Sequence, residues 1–198
     1  MNRNICLAAF AVGLAVVGWV GAGYAGNSPL ALAMTLVIAA VYGTGAVEML
    51  RFHQATATLA RALAAIPDNL AHLGEWLGAV HPSLQNPVRL RVEGERIGLP
   101  GPAITPYLVG LLVLLGMLGT FLGMVVTLNG AVLALEHTTD LHTIRGALAA
   151  PIKGLGFAFG TSVAGVAASA MLGLISALCR RERLRAGQTL DSRIATDL

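Results

Sequence analysis

The sequence predicts an all-α polytopic membrane protein with four transmembrane helices, the third and fourth of them long. Three observations predict it. The 198 residues are 56% hydrophobic and only 12% charged, whereas a soluble domain is about 45–50% apolar and about a quarter charged. The charges are also segregated: residues 4–47, 97–135 and 154–179 contain no Asp, Glu, Lys, Arg or His. Finally, a hydrocarbon core of about 30 Å needs about 20 apolar helical residues. The first charge-free stretch is long enough for two spans and the other two supply one each.

Span one covers residues 5–23 and ends at "YAGNSP", where Asn27, Ser28 and Pro29 make a turn. A secretory signal is the rival for this stretch, since Arg3 precedes it and "AGYAGN" follows it. Its apolar run exceeds the about 7–15 residues of a signal core, so it is assigned as a span. Span two starts at Pro29, a favoured first helical position, and runs to residue 50. Span three covers 106–135 and span four 151–179, each opening on a proline. The chain thus divides into spans one and two (1–50), a helical segment (51–105), spans three and four (106–179) and the start of a tail helix (180–198). It stops within a polar helical pattern, as expected if a longer tail follows.

Arginine orients the spans. Arg51, Arg61, Arg89, Arg91 and Arg96 lie between spans two and three, and "RRERLR" follows span four. The connection between spans one and two is uncharged; that between spans three and four sets Arg145 and Lys153 against Glu136 and Asp140. Both termini are therefore expected on the cytoplasmic side. The net charge of +3 needs no nucleic acid to explain it. Cys6 and Cys179 fall at the cytoplasmic ends of spans one and four, where a disulfide is not expected and two thiols make no metal site. They are read as small apolar residues.

The segment between spans two and three is too short for a catalytic domain. Residues 58–66 continue a helix stopped by Pro67. "DNLAHLGEWLGAV" places Leu70, Leu73, Trp76, Leu77 and Val80 at helical spacing, with Asp68 as N-cap. His53, His72 and His81 are too far apart for a ligand set and are assigned to the surface. "GLPGP" is a hinge before span three. No nucleotide-binding glycine loop, nucleophile elbow or metal-binding cysteine cluster occurs, so neither an enzyme nor a cofactor is expected.

Spans three and four differ from plain anchors. Gly116, Gly119, Gly123 and Gly130 punctuate span three; Gly160, Ala164, Gly165 and Ala168 stand out in span four. Small residues four apart let helix backbones approach in lipid, where packing rather than hydrophobicity drives association. Thr120 and Thr127 share a face of span three, and Thr161 shares one with Ala164, Gly165 and Ala168. Antiparallel packing puts Thr120 and Thr161 at comparable depth, facing each other or a common third party. Each hydroxyl could instead bond its own backbone one turn back. No span holds an ionisable side chain at its middle, and proton paths are usually marked by one. Either the chain conducts nothing or a partner brings the carboxylate. At the outer connection, Glu136, His137, Asp140 and His142 are too loosely spaced for a metal. A polar hairpin is expected there, with Glu136 and Asp140 concentrating cations at the outer mouth.

"GLLVLLGMLGTFLGMVVTL" followed by "GLGFAFGTSVAGVAASAM" resembles the paired pore helices of the MotA/TolQ/ExbB proton-channel family, over about half the chain. The family's Gly-Thr-x-x-Gly element is matched by Gly119, Thr120 and Gly123, and its threonine leading into small residues by Thr161 through Ala168. The four-span order resembles the flagellar stator, the threonine pair the TolQ and ExbB branch, and the Arg-rich exit helix the long-tailed Zorya stators. The resemblance implies a homopentamer in the bacterial inner membrane around two copies of a single-span partner, MotB/TolR/ExbD-like and peptidoglycan-binding. The partner's membrane aspartate would meet Thr120 and Thr161. The small segment between spans two and three lacks the flagellar stator's charged torque surface. A non-conducting scaffold or assembly protein is the alternative.

Overall fold

The computed structural model describes residues 3–26, 28–64, 73–95, 97–136 and 141–197, and every regular element among them is an α-helix. In chain order these are α1 (Arg3–Tyr24), α2 (Pro29–Ala64), α3 (Leu73–Gly78), α4 (Pro82–Val92), α5 (Thr105–Glu136) and α6 (Leu141–Asp197). Four of them, α1, α2, α5 and α6, contain stretches long and apolar enough to cross a membrane.

The turn from α1 to α2 follows from its residues. Gly26 takes φ 86°, a conformation a Cβ disfavours. The Ser28 carbonyl then accepts the first bond of the next helix from Leu32 N–H at 3.0 Å, and Pro29 opens α2. At 1.5 Å per residue the 36 residues of α2 extend about 54 Å and the 57 of α6 about 85 Å. Both exceed an about 30 Å hydrocarbon core. Their surplus lengths run on beside each other, past the end of the bundle that carries Arg51 and Arg180.

Two cores result. In the first, Val17, Val20 and Tyr24 of α1, Ile38, Tyr42 and Met49 of α2, Leu112 of α5 and Ala164, Ala168, Leu172 and Ile175 of α6 pack together. The Tyr42 ring stacks on Phe10 with centroids 5.1 Å apart, and its hydroxyl donates to the Phe10 carbonyl at 3.2 Å. The second core lies beyond the bundle. There Leu59 and Leu63 of α2, Trp76, Val80, Leu84 and Val88 around α3 and α4, and Ala186 and Leu190 of α6 pack together. Trp76 Nε1–H donates to the Ala62 carbonyl at 2.7 Å, which fixes the short helix α3 against α2. Trp76, Val80 and Leu77 thus turn inward as their spacing predicts, while Asp68, Leu70 and His72 lie outside the described residues.

α4 forms where the sequence suggested no element. Pro82 occupies the start of the helix, where a missing N–H costs nothing. The His81 ring caps it, Nδ1 accepting from Ser83 N–H at 3.3 Å. Pro87 inside it removes one backbone bond, and the burial of Leu84 and Val88 offsets the loss.

The start of span four is corrected. α6 begins at Leu141, not at Pro151, and α5 reaches Glu136, so the expected polar hairpin is helical on both sides of residues 137–140. Helix formers Leu148, Ala149 and Ala150 precede the proline, and helices in lipid tolerate proline because neighbouring groups satisfy the freed carbonyl.

α5 packs more extensively on α6 than on any other described element, and the contact is between backbones. A Cβ on Gly165 would stand 2.6 Å from the Leu112 carbonyl oxygen and 2.8 Å from Gly116 Cα. Backbone cannot yield as a side-chain end can, so Gly165→Ala should push the helices apart. Overpacking of this kind costs about 1–3 kcal/mol. We expect Gly165→Ala to lower the thermal unfolding midpoint in detergent by several degrees. Gly110→Ala, with nothing within 4 Å of the added carbon, should leave it unchanged or raise it.

Candidate functional site

The small residues of α5 and α6 do two different jobs. Along the α5–α6 seam, Gly116 meets Gly165 and the backbone at Thr161 and Ser162, Gly119 meets Thr161, Gly123 meets Ala158, and Gly154 meets Thr127. The Ser169 hydroxyl reaches across to the Val109 carbonyl at 2.8 Å. Gly160, Ala164 and Ala168 sit on the other side of α6. Gly160 receives the Tyr24 hydroxyl of α1, while Ala164 and Ala168 lie fully buried in the first core. Thr161 and Gly165 therefore serve α5, and Gly160, Ala164 and Ala168 serve the core shared with α1 and α2. Gly130 has open space around it.

The three threonines are not equivalent. Thr161 is fully buried, its Cβ and Oγ1 covering Gly119, and its hydroxyl donates to the Ala158 carbonyl at 2.8 Å. Thr120, next to that glycine, is partly exposed and donates to the Met117 carbonyl at 2.6 Å. Thr127 donates to the Gly123 carbonyl at 2.8 Å and packs on Gly154. Each hydroxyl is thus bonded to its own helix one turn back, the geometry Ser and Thr adopt where no other acceptor is offered. Thr161 packs on Gly119, the residue before Thr120, and of the two threonines Thr120 alone reaches the protein surface. Glu136 is the last residue of α5, and Asp140 lies outside the described residues.

Two charged residues at the arginine-bearing end were not singled out by sequence. Glu48 of α2 caps α5. Its Oε1 accepts from the N–H groups of Ala103 and Ile104, each at 2.9 Å, and its Oε2 accepts from the Thr105 hydroxyl at 2.5 Å. A carboxylate there satisfies donors next to a helix start and faces the positive end of its dipole. Arg183 of α6 is 5% exposed, whereas its neighbour Leu184 is 68% exposed. Its Nε donates to Thr56 Oγ1 at 2.9 Å, one terminal nitrogen to the Pro100 carbonyl at 2.8 Å and the other to the Phe52 carbonyl at 3.1 Å. The guanidinium also lies 3.9 Å from the Phe52 ring centroid, a cation–π geometry. The planar fork matches three neutral acceptors at once, which an ammonium cannot do.

One expectation is corrected at this end. His53 is not a simple surface histidine: its Nδ1 lies 3.1 Å from the Glu182 carboxylate with its side chain only 23% exposed. Cys179 is buried in the first core and Cys6 packs against it, as small apolar residues would. Among the described residues no group of three or more His, Cys, Asp or Glu side chains could hold a metal ion.

Removing the Glu48 carboxylate strands two backbone N–H groups and a hydroxyl, at about 1–3 kcal/mol. Glu48→Ala should therefore speed amide exchange at residues 103–108, while exchange in α1 stays unchanged and Glu48→Gln restores much of the protection. Arg183→Lys should lower the unfolding midpoint nearly as far as Arg183→Ala, since the ammonium cannot span all three acceptors.

Comparison of the chain with protein-family models, with curated proteins and with solved structures found no match.

Proposed function

We propose that this chain is the channel subunit of an ion-driven motor in the bacterial inner membrane, a non-enzymatic role, with both termini cytoplasmic and protons as the driving ion. Five copies would surround a single-span partner of the MotB/TolR/ExbD kind, whose membrane aspartate supplies the carboxylate this chain lacks. The observation that carries the reading is the glycine-lined α5–α6 seam. It sets a hydroxyl, Thr120, at the edge of an apolar wall, in a stretch with no ionisable side chain of its own.

The wall supports the reading too. Leu114, Met117, Phe121 and Val125 of α5 and Phe159, Val163 and Val166 of α6 stand exposed on a single chain. Lipid or neighbouring copies would cover them. Thr161 packs on Gly119 of the Gly119-Thr120-x-x-Gly123 element, and the resemblance to MotA/TolQ/ExbB pore helices implies that Thr120 and Thr161 meet the partner's aspartate. A partner carboxylate at Thr120 would compete with the Met117 carbonyl for the hydroxyl proton, a rotation about one side-chain bond. One elementary charge crossing 100 mV yields about 2.3 kcal/mol, enough to drive a small rotational step.

A second reading is favoured by one observation. All three threonine hydroxyls are satisfied by their own helices, as in a non-conducting scaffold or assembly protein.

Native mass spectrometry of the detergent-purified protein separates the two readings. Five chains per particle, with or without partner helices, is the expected result. A monomer or a symmetric dimer would remove the pore and leave the scaffold. In proteoliposomes holding the pentamer with its co-purified partner, Thr120→Val should lower proton flux about tenfold or more, equivalent to ~1.4 kcal/mol on the barrier. Undiminished flux in both Thr120→Val and Thr161→Val would sink the assigned ion path.

A further inference from the structure

The two cysteines of the chain stand far apart in sequence, one on α1 and one on α6, yet they pack in the same core and line the same small cavity. Cys179 is buried and Cys6 is partly exposed. A cavity of about 40 Å³ opens beside them, walled by Phe10, Met49, His53 and Ile175 as well as by both cysteines. A site for one water molecule needs about 10–15 Å³ on the same measure, so a small peroxide fits.

We propose that Cys6 and Cys179 form a thiol pair that a hydroperoxide oxidises to an intrachain disulfide, cross-linking α1 to α6. The chemistry closes without another reagent. The Cys6 sulfur, as thiolate, attacks one peroxide oxygen, the O–O bond breaks, and the departing oxygen leaves as hydroxide and takes a proton to become water. Cys6 is then a sulfenic acid. The Cys179 sulfur attacks it, the S–S bond forms, the S–O bond breaks and a second water leaves. Two thiols lose two electrons in total and hydrogen peroxide gains them.

The structure assigns the order of attack by access. Both cysteines border the cavity, but Cys6 is partly exposed whereas Cys179 is buried and is placed to resolve the sulfenic acid. The S–S bond of about 2.05 Å requires the two sulfurs to close up. The cavity at their side leaves room for that side-chain movement without repacking the core. In a reducing compartment such bonds are transient and serve redox sensing rather than stability. The site stands whether or not the chain conducts ions.

The test uses the full chain in detergent, reduced, freed of reductant and exposed to stoichiometric hydrogen peroxide, with intact mass and maleimide labelling as readouts. The expected result is a monomeric chain lighter by about two mass units that binds no maleimide. Dithiothreitol should restore two labels, and Cys6→Ser and Cys179→Ser should each fail to form the product. Amide exchange of the untreated variants, matching that of the parent chain, would show that they remain folded. Four outcomes would overturn the proposal: two thiols still labelled, a disulfide-linked dimer, a gain of oxygen at both sulfurs with no S–S bond, or product formation by either single variant.

Discussion

The backbone contact between α5 and α6 at Gly116 and Gly165 is the constraint on which the rest of the bundle depends. In lipid, apolar side chains gain nothing by leaving their surroundings, so helices associate through close packing and hydrogen bonds. Glycine on both sides removes the side chains that would hold the axes apart. Once the helices touch at that point, the register of the seam is set. Thr161 covers Gly119, Ala158 covers Gly123, Thr127 covers Gly154, and Ser169 reaches the Val109 carbonyl. The opposite side of α6 repeats the device with Gly160, Ala164 and Ala168, which admit Tyr24 and the core residues of α1 and α2. α6 is thereby enclosed on two sides, while much of α5 remains an uncovered apolar surface.

At the arginine-bearing end the forces change character. Glu48 and Arg183 do not pair with each other. Each binds neutral groups of the same short connection before α5. The carboxylate takes the Ala103 and Ile104 N–H groups with the Thr105 hydroxyl, and the guanidinium takes the Pro100 carbonyl. A connection containing Pro100 and Pro102 has few backbone bonds of its own to make. Opposite charges from α2 and α6 supply them. The entry of α5 into the bundle is thus fixed by hydrogen bonds to α2 and α6.

Much of the architecture was legible in the sequence because length and charge segregation report on the membrane directly. Turn residues marked the α1–α2 reversal, Pro29 and Pro106 marked helix starts, and Trp76 with Val80 marked an inward face. The seam glycines were legible as packing residues, but which partner each one meets was not, since that depends on crossing angles that no local pattern encodes. Pro151 misled, because proline at a helix start and proline inside a lipid helix look alike in sequence. Glu48 was hidden for a different reason: its acceptor role depends on residues far along the chain. Arg183 left a signal that could have been followed. The buried stripe Leu172, Ile175, Cys179, Ala186 and Leu190 runs at helical spacing through position 183, so one of the arginines in "RRERLR" had to turn inward. The same stripe carries Cys179 toward α1, which is why two cysteines at opposite ends of the chain line one cavity.

No proline interrupts α6 after Pro151, so a single hydrogen-bonded rod runs from the α5 seam to Asp197. The stretch from Gly154 onward is about 65 Å long at 1.5 Å per residue. A tilt of about 5° at the seam would carry its far end about 6 Å sideways by the same geometry. Two packed cores and the Arg183 anchor lie along the way and would have to move with it. Whatever occupies the membrane seam is therefore mechanically connected to whatever touches the end of the rod, with no joint between them to absorb the displacement.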